Sequence, residues 1–204
     1  MKDSEGKDKT RKKEILDAAR QCFAQHGYAK TTLDDIGHVV GIKTGSLYHY
    51  YDSKEAIFRD VVAKEGEEML NWLESEVSKV KKTNDKIIRY AQARLEYFCK
   101  VTNLLDVSIQ VILEVKPLFD KLYKNFFQRE SKVLQSLLKE GISSKQFKKC
   151  DTASIARAIM VVSESIKFNA FNEANVLSSS DVDFTEVEKE VTYIVGLILA
   201  GITK

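Results

Sequence analysis

Residues 31–55 read TTLDDIGHVVGIKTGSLYHYYDSKE, and this stretch decides the fold. Thr32, with carboxylates at Asp34 and Asp35, is the pattern of a capping box: a hydroxyl accepts from an amide three residues on, and acids suit the positive helix end. Leu33, Ile36, Val39 and Val40 then recur at helical spacing until Gly41, a residue that takes the left-handed helix stop at little cost. After a tight turn the sequence predicts a second short helix over residues 44–50. Asp52-Ser53-Lys54-Glu55 opens a further one. Two short helices across a tight turn form a helix-turn-helix, a motif whose second helix enters the DNA major groove while the first crosses the backbone.

Upstream, Ile15, Leu16, Ala19, Cys22 and Phe23 lie three and four residues apart, and Gly27 ends that helix. Residues 1–13 hold six basic and three acidic side chains and read as a charged tail, of which residues 1–8 are the flexible part. Downstream the apolar spacing is sustained for longer. It predicts a rod from Ser53 to about residue 81 and helices over residues 87–99 and 104–115. Another starts at Pro117 and stops at Gly141; the next is capped by Asp151, and the last covers about residues 183–202. No segment alternates with period two. The expected fold is all-α with about nine helices: a three-helix DNA-binding unit over residues 9–60 and a larger helical domain over residues 61–204.

Composition narrows the function. The 204 residues are 44% hydrophobic with one Pro and nine Gly, too apolar for disorder and too poor in turn residues for an all-β fold. Thirty-two basic residues against thirty acidic ones leave a charge of +2, no nucleic-acid signature by itself. Cys22, Cys99 and Cys150 form no C-x-x-C pair, and His26, His38 and His49 have no ligand spacing, so neither disulfide nor metal is expected. The start of the chain has no apolar stretch of a leader, and residues 193–202 are about half the ~20 residues of a membrane span. A soluble, cytoplasmic protein without a cofactor is expected. No Gly-rich phosphate loop and no histidine beyond His49 speak for an enzyme.

The runs Thr31-Thr32-Leu33-Asp34-Asp35-Ile36, Val40-Gly41-Ile42, Gly45-Ser46-Leu47-Tyr48-His49-Tyr50-Tyr51 and Ser53-Lys54-Glu55 resemble the DNA-binding domain of TetR-type transcriptional regulators. So does the upstream Ile15-Leu16-Asp17-Ala18-Ala19, with Phe23 and His26-Gly27-Tyr28. The resemblance covers about residues 12–62. It implies a homodimeric repressor of a double-stranded DNA operator, released by a small molecule held in the C-terminal domain. It also implies that Tyr48 and His49 reach the phosphate backbone. Thr32 at a helix N-terminus suits a phosphate, and Lys54 can add another contact. Thr44, Gly45 and Ser46, at the leading end of the second short helix, suit base edges or a thymine methyl. Lys43 stands where the family favours Ser, losing a cap but offering a charge. One feature runs against strong DNA affinity: residues 14–60 carry five basic and seven acidic side chains, net −2. A helical interaction or carrier protein that has lost DNA binding is therefore the alternative reading.

The C-terminal half is rich in aromatics, and a cavity between helices lined by apolar groups with a few polar ones is the usual small-molecule site. The expected lining is Trp72, Arg94, Tyr97, Phe98, Phe119, Tyr123 and Phe126, with Gln110 and Asn125 as further polar candidates, and the expected effector is mainly apolar. The last two helices are apolar on more than one face. Ile155, Ala158, Val161 and Phe168 on one, and Tyr193, Leu197 and Ala200 on the other, ask for a partner. A symmetric four-helix dimer interface supplies it.

Overall fold

In the computed structural model, residues 2–105, 120–173 and 184–204 are described, with the side chains of 1–5, 7, 100–123 and 171–183 left aside. Among the described residues there are eight helices: α1 (Lys2–Lys30), α2 (Leu33–Val40), α3 (Thr44–Leu47), α4 (Lys54–Ser78), α5 (Thr83–Leu105), α6 (Asp120–Ser143), α7 (Thr152–Glu173) and α8 (Phe184–Ile202). Among the described residues there is one isolated β-bridge, between Phe147 and Thr203, and no strand. The expected helix over residues 104–115, and with it Gln110, Pro117 and Phe119, falls outside the described residues beyond Leu105.

Local chemistry places most boundaries. Ser53 Oγ accepts from the amide of Ala56 to start α4, and Asp151 Oδ1 accepts from the amides of Ala153 and Ser154 to start α7. Three expectations shift. The segment read as a tail is helical, because α1 runs back to Lys2; Gly27 (φ 74, ψ 162) kinks this helix near its end. Gly141 lies inside α6, where a Cβ would fall 2.2 Å from the Phe147 ring, and the left-handed residue that follows is Lys145 (φ 62). The rod α4 ends at Ser78; its 25 residues still reach about 37 Å.

The buried side chains form two clusters. Ile15, Ala19, Phe23, Ile36, Leu47, Tyr51, Ile57 and Val61 make the first. The second gathers Leu73, Val77, Ile87, Tyr90, Leu134, Leu138, Ile159, Val191 and Leu199, among others. Helix α4 gives Ile57 and Val61 to the first and Leu73 and Val77 to the second, so one rigid element is packed into both. Cys22 and Cys99 are held above the ordinary thiol range by burial, Cys99 at about 12, which suits inert packing.

Candidate functional site

The turn between α2 and α3 is built from its own residues. Thr32 Oγ1 accepts from the amide of Asp35 at 3.2 Å, and the Asp35 carboxylate accepts from the Thr32 amide at 2.8 Å, closing the capping box. The Thr32 hydroxyl also donates to that carboxylate at 2.7 Å, and this bond and the one from the Thr32 amide hold the Asp35 carboxyl below its ordinary range. Gly41 takes the left-handed cap (φ 76, ψ 33). Gly37, which the sequence reading passed over, permits the close return: a Cβ there would sit 2.8 Å from the Ile42 carbonyl, while the Ile42 amide donates to the Gly37 carbonyl at 2.9 Å. Helix α3 is a single turn, shorter than expected. Lys43 caps it without a side-chain bond. Thr44 does not take that cap over, because its hydroxyl donates to Asp34 and ties α3 to α2.

Outward from this turn lie Thr32, Lys43, Gly45, Ser46, Tyr48 and His49, all exposed. Tyr48 is 54% exposed, unlike its neighbours: Tyr50 is half-buried against the first core and Tyr51 is buried. Nothing lies within 4 Å of where a Cβ of Gly45 would be, so packing within the protein does not demand a glycine there. Val39, expected on the buried face of α2, is 47% exposed on the same unit.

Lys54 is placed differently from its expected role. Its ammonium donates to the carbonyls of Tyr28 (2.9 Å), Ala29 (3.4 Å) and Thr31 (2.9 Å), and stands 4.5 Å from the Tyr28 ring centroid. Three donors on three carbonyls clamp the end of α1 onto the start of α4. In the free protein the Lys54 ammonium is engaged with these carbonyls.

Of the seven residues expected to line a ligand cavity, the side chains of Trp72, Arg94, Tyr97, Phe98 and Phe126 are described. Trp72 and Tyr97 pair at 5.6 Å, and the Tyr97 hydroxyl donates to the Glu65 carbonyl at 3.4 Å. Beside them α1 is tied to α4 by Arg20–Glu65 (2.6 Å) and Asp17–Lys64 (2.5 Å). Phe126 is seated over Gly66 of α4. Phe98 lies beneath the Lys167 ammonium, 4.0 Å from it. Phe119 and the side chain of Tyr123 lie outside the described residues, and Asn125 is exposed.

Arg94 is the centre of a buried charge cluster. Its Nε donates to Glu130 at 2.7 Å, and its Nη1 stands 2.8 Å from Glu164, which Lys167 also reaches at 2.8 Å. The Tyr90 hydroxyl donates to Glu130 at 3.3 Å. Burial alone would raise the Glu164 carboxyl, but Arg94 and Lys167 outweigh it and hold it at about 2. Arg94, Lys167 and Ser163, with Ala91, Leu95 and Val191, line a pocket with room for about one water molecule. Sequence reasoning missed Glu130, Glu164 and Lys167. The available signal was Glu164 and Lys167, three residues apart in a stretch rich in apolar side chains.

Helices α7 and α8 carry Val161, Tyr193 and Leu197, which are 45%, 65% and 51% exposed. With Val39 and Tyr48 these are the large apolar side chains left exposed among the described residues. Ala200 is exposed beside them, and Ala158 and Phe168 are half-buried. Ile155 is half-buried and also packs against the second core.

Residues 15–61 match the pattern of the bacterial regulatory proteins of the tetR family. Those 47 residues contain the turn, its caps and the exposed Tyr48 described above. Residues 15–61 are thus similar to the DNA-binding unit of that family. Over 51 residues the chain is 51% identical to the biofilm operon icaADBC HTH-type negative transcriptional regulator IcaR of Staphylococcus epidermidis, covering 25% of this chain and 28% of that one. It is 43% identical over 60 residues to the HTH-type transcriptional repressor KstR2 of Rhodococcus jostii, 29% of each chain. The TetR-type match thus spans less than a third of the length of these curated relatives. For the fold as a whole, a transcriptional regulator from Cytophaga hutchinsonii superposes with a TM-score of 0.78 at 24% identity, covering 93% of this chain and 97% of that one. SmeT, the repressor of the Stenotrophomonas maltophilia multidrug efflux pump SmeDEF, gives 0.65 at 19%, covering 95% and 90%. The TetR-type unit accordingly sits on a helical body of the same architecture.

Proposed function

We propose that this chain is a DNA-binding transcriptional repressor. It acts in the cytoplasm as a homodimer on a palindromic operator and is released by a small, mainly apolar effector in its C-terminal domain. The observation that carries this reading is where apolar side chains are left in water. They cluster in two places, on the helix-turn-helix at Val39 and Tyr48 and on α7 and α8 at Val161, Tyr193 and Leu197. One patch suits a duplex and the other a second copy.

Each exposed residue of the turn then has a role. Tyr48, His49 and Thr32 contact phosphates. Lys43 and Ser46 reach base edges, and Gly45 allows the backbone close approach. Thr44, bound to Asp34 in the free protein, reads a base only by exchanging that partner, and Lys54 serves DNA binding by holding α4 against α1. The rod α4 links the two functions, being packed into both cores. An effector that favours one tilt of α4 alters the distance between the recognition helices, and a coupling of ~1–3 kcal/mol is typical.

Footprinting on the DNA upstream of the chain's own reading frame tests this. Two protected half-sites about one turn apart, ~34–36 Å, are expected. A single unpaired footprint, or none, contradicts it; the latter favours the carrier reading, which the net charge of −2 over residues 14–60 would suit.

A further inference from the structure

Helix α1 begins at Lys2, yet among the described side chains its first buried one is Ile15. About 20 Å of helix therefore precedes the core. Its charge is uneven. Residues 2–9 hold Lys2, Lys7 and Lys9 against Asp3, Glu5 and Asp8, a balance of zero, so the whole excess of +3 lies in Arg11, Lys12 and Lys13. Lys9, Lys12 and Lys13 are spaced i, i+3, i+4 and so share one helix face. All three are exposed, and none makes an ion pair among the described residues, whereas Arg11 is tied to Glu14 at 2.8 Å. The Lys12 ammonium stands 5.4 Å from the ring centroid of Tyr51. Tyr51 closes the turn that carries Tyr48 and His49, and its amide donates to the carbonyl of Leu47 in α3. The lysine face therefore opens beside the recognition turn.

We infer that Lys9, Lys12 and Lys13 form a preset helical arm that grips the DNA phosphate backbone next to each half-site. The inference rests on the DNA-binding reading above. These charges make no ion pair among the described residues, and the TetR-type unit behind them is net −2, so basic residues outside 14–60 would add to its attraction for DNA. Because the arm is already helical, docking orders no chain, unlike the charged tail expected from the sequence. The contacts are to phosphate and carry no sequence information.

Fluorescence anisotropy on the footprinted duplex and on an unrelated duplex, across a salt series, tests the arm in the full chain. The combined variant Lys9→Gln, Lys12→Gln, Lys13→Gln is expected to flatten the slope of log affinity against log salt by about 2.7 per protomer, at ~0.9 for each phosphate released. Both duplexes should weaken by the same factor, leaving their ratio unchanged. A second variant lacking residues 2–8 keeps all three lysines and should keep the wild-type slope. Lys9, Lys12 and Lys13 are exposed and belong to neither core, so thermal melting of the lysine variant should shift little. An unchanged slope in the lysine variant overturns the arm, as does an equal loss in the shortened chain. Wild-type protein without affinity for either duplex would overturn the DNA-binding reading itself.

Discussion

Arg94→Met is expected to lower the unfolding free energy by about 3–5 kcal/mol, the usual cost of removing one partner from a buried ion cluster. Arg94 alone joins Glu130 of α6 to Glu164 of α7, at 2.7 and 2.8 Å, and its removal leaves both carboxylates in a low-dielectric interior. Replacing the charges together, as Arg94→Met with Glu130→Leu, Glu164→Met and Lys167→Met, should recover most of the loss, since an apolar core at such a site is often as stable. Urea unfolding at fixed protein concentration measures both variants. A loss under ~1 kcal/mol for Arg94→Met would mean that the cluster is effectively solvated. The same cluster sets an acid limit. The Glu164 carboxyl is held at about 2 in the folded chain, below its ordinary value of 4.5. A depressed carboxyl contributes stability that is fully present above the ordinary value and is lost as pH falls from about 4.5 towards 2.

The second large effect concerns assembly. Leu197→Glu, alone or with Tyr193→Glu, should convert the dimer to monomers, because each protomer would bring an unpaired charge into an apolar interface. The protomer itself should survive, since these side chains are 51% and 65% exposed before any partner arrives. Two half-site readers would then bind independently, and operator affinity should fall by about 10²–10⁴ with the loss of linkage. Sedimentation equilibrium decides the first point: an unchanged dimer in the double variant would place the interface elsewhere.

The features legible in the sequence were those whose partners are close in the chain. The Thr32–Asp35 box, the Gly41 stop and the Ser53 and Asp151 caps involve groups within about three residues, and each stands where the sequence puts it. The span of α8 followed from apolar spacing alone. What escaped the sequence was chemistry between distant residues. Lys54 finds its acceptors 23 to 26 positions away, at a helix end whose carbonyls no pattern announces. Arg94 and Glu130 are 36 apart, and a carboxylate on a helix looks solvent-facing until a neighbouring helix covers it. Helical spacing says which face a side chain occupies, but not which other helix that face meets. The helical state of residues 2–13 has no apolar periodicity to announce it, because they hold no large apolar side chain and extend a helix whose core face starts at Ile15.

The central claim is that the exposed turn around Tyr48 grips DNA. The most direct measurement is anisotropy titration of wild-type and Tyr48→Ala protein on the footprinted duplex, with thermal melting alongside. Tyr48 is 54% exposed, so melting should not change. A hydrogen bond to a charged group is worth about 1.5–3 kcal/mol, so affinity should fall by roughly 10- to 100-fold for each protomer's lost phosphate contact. Titration curves for Tyr48→Ala that superimpose on wild type would contradict the claim.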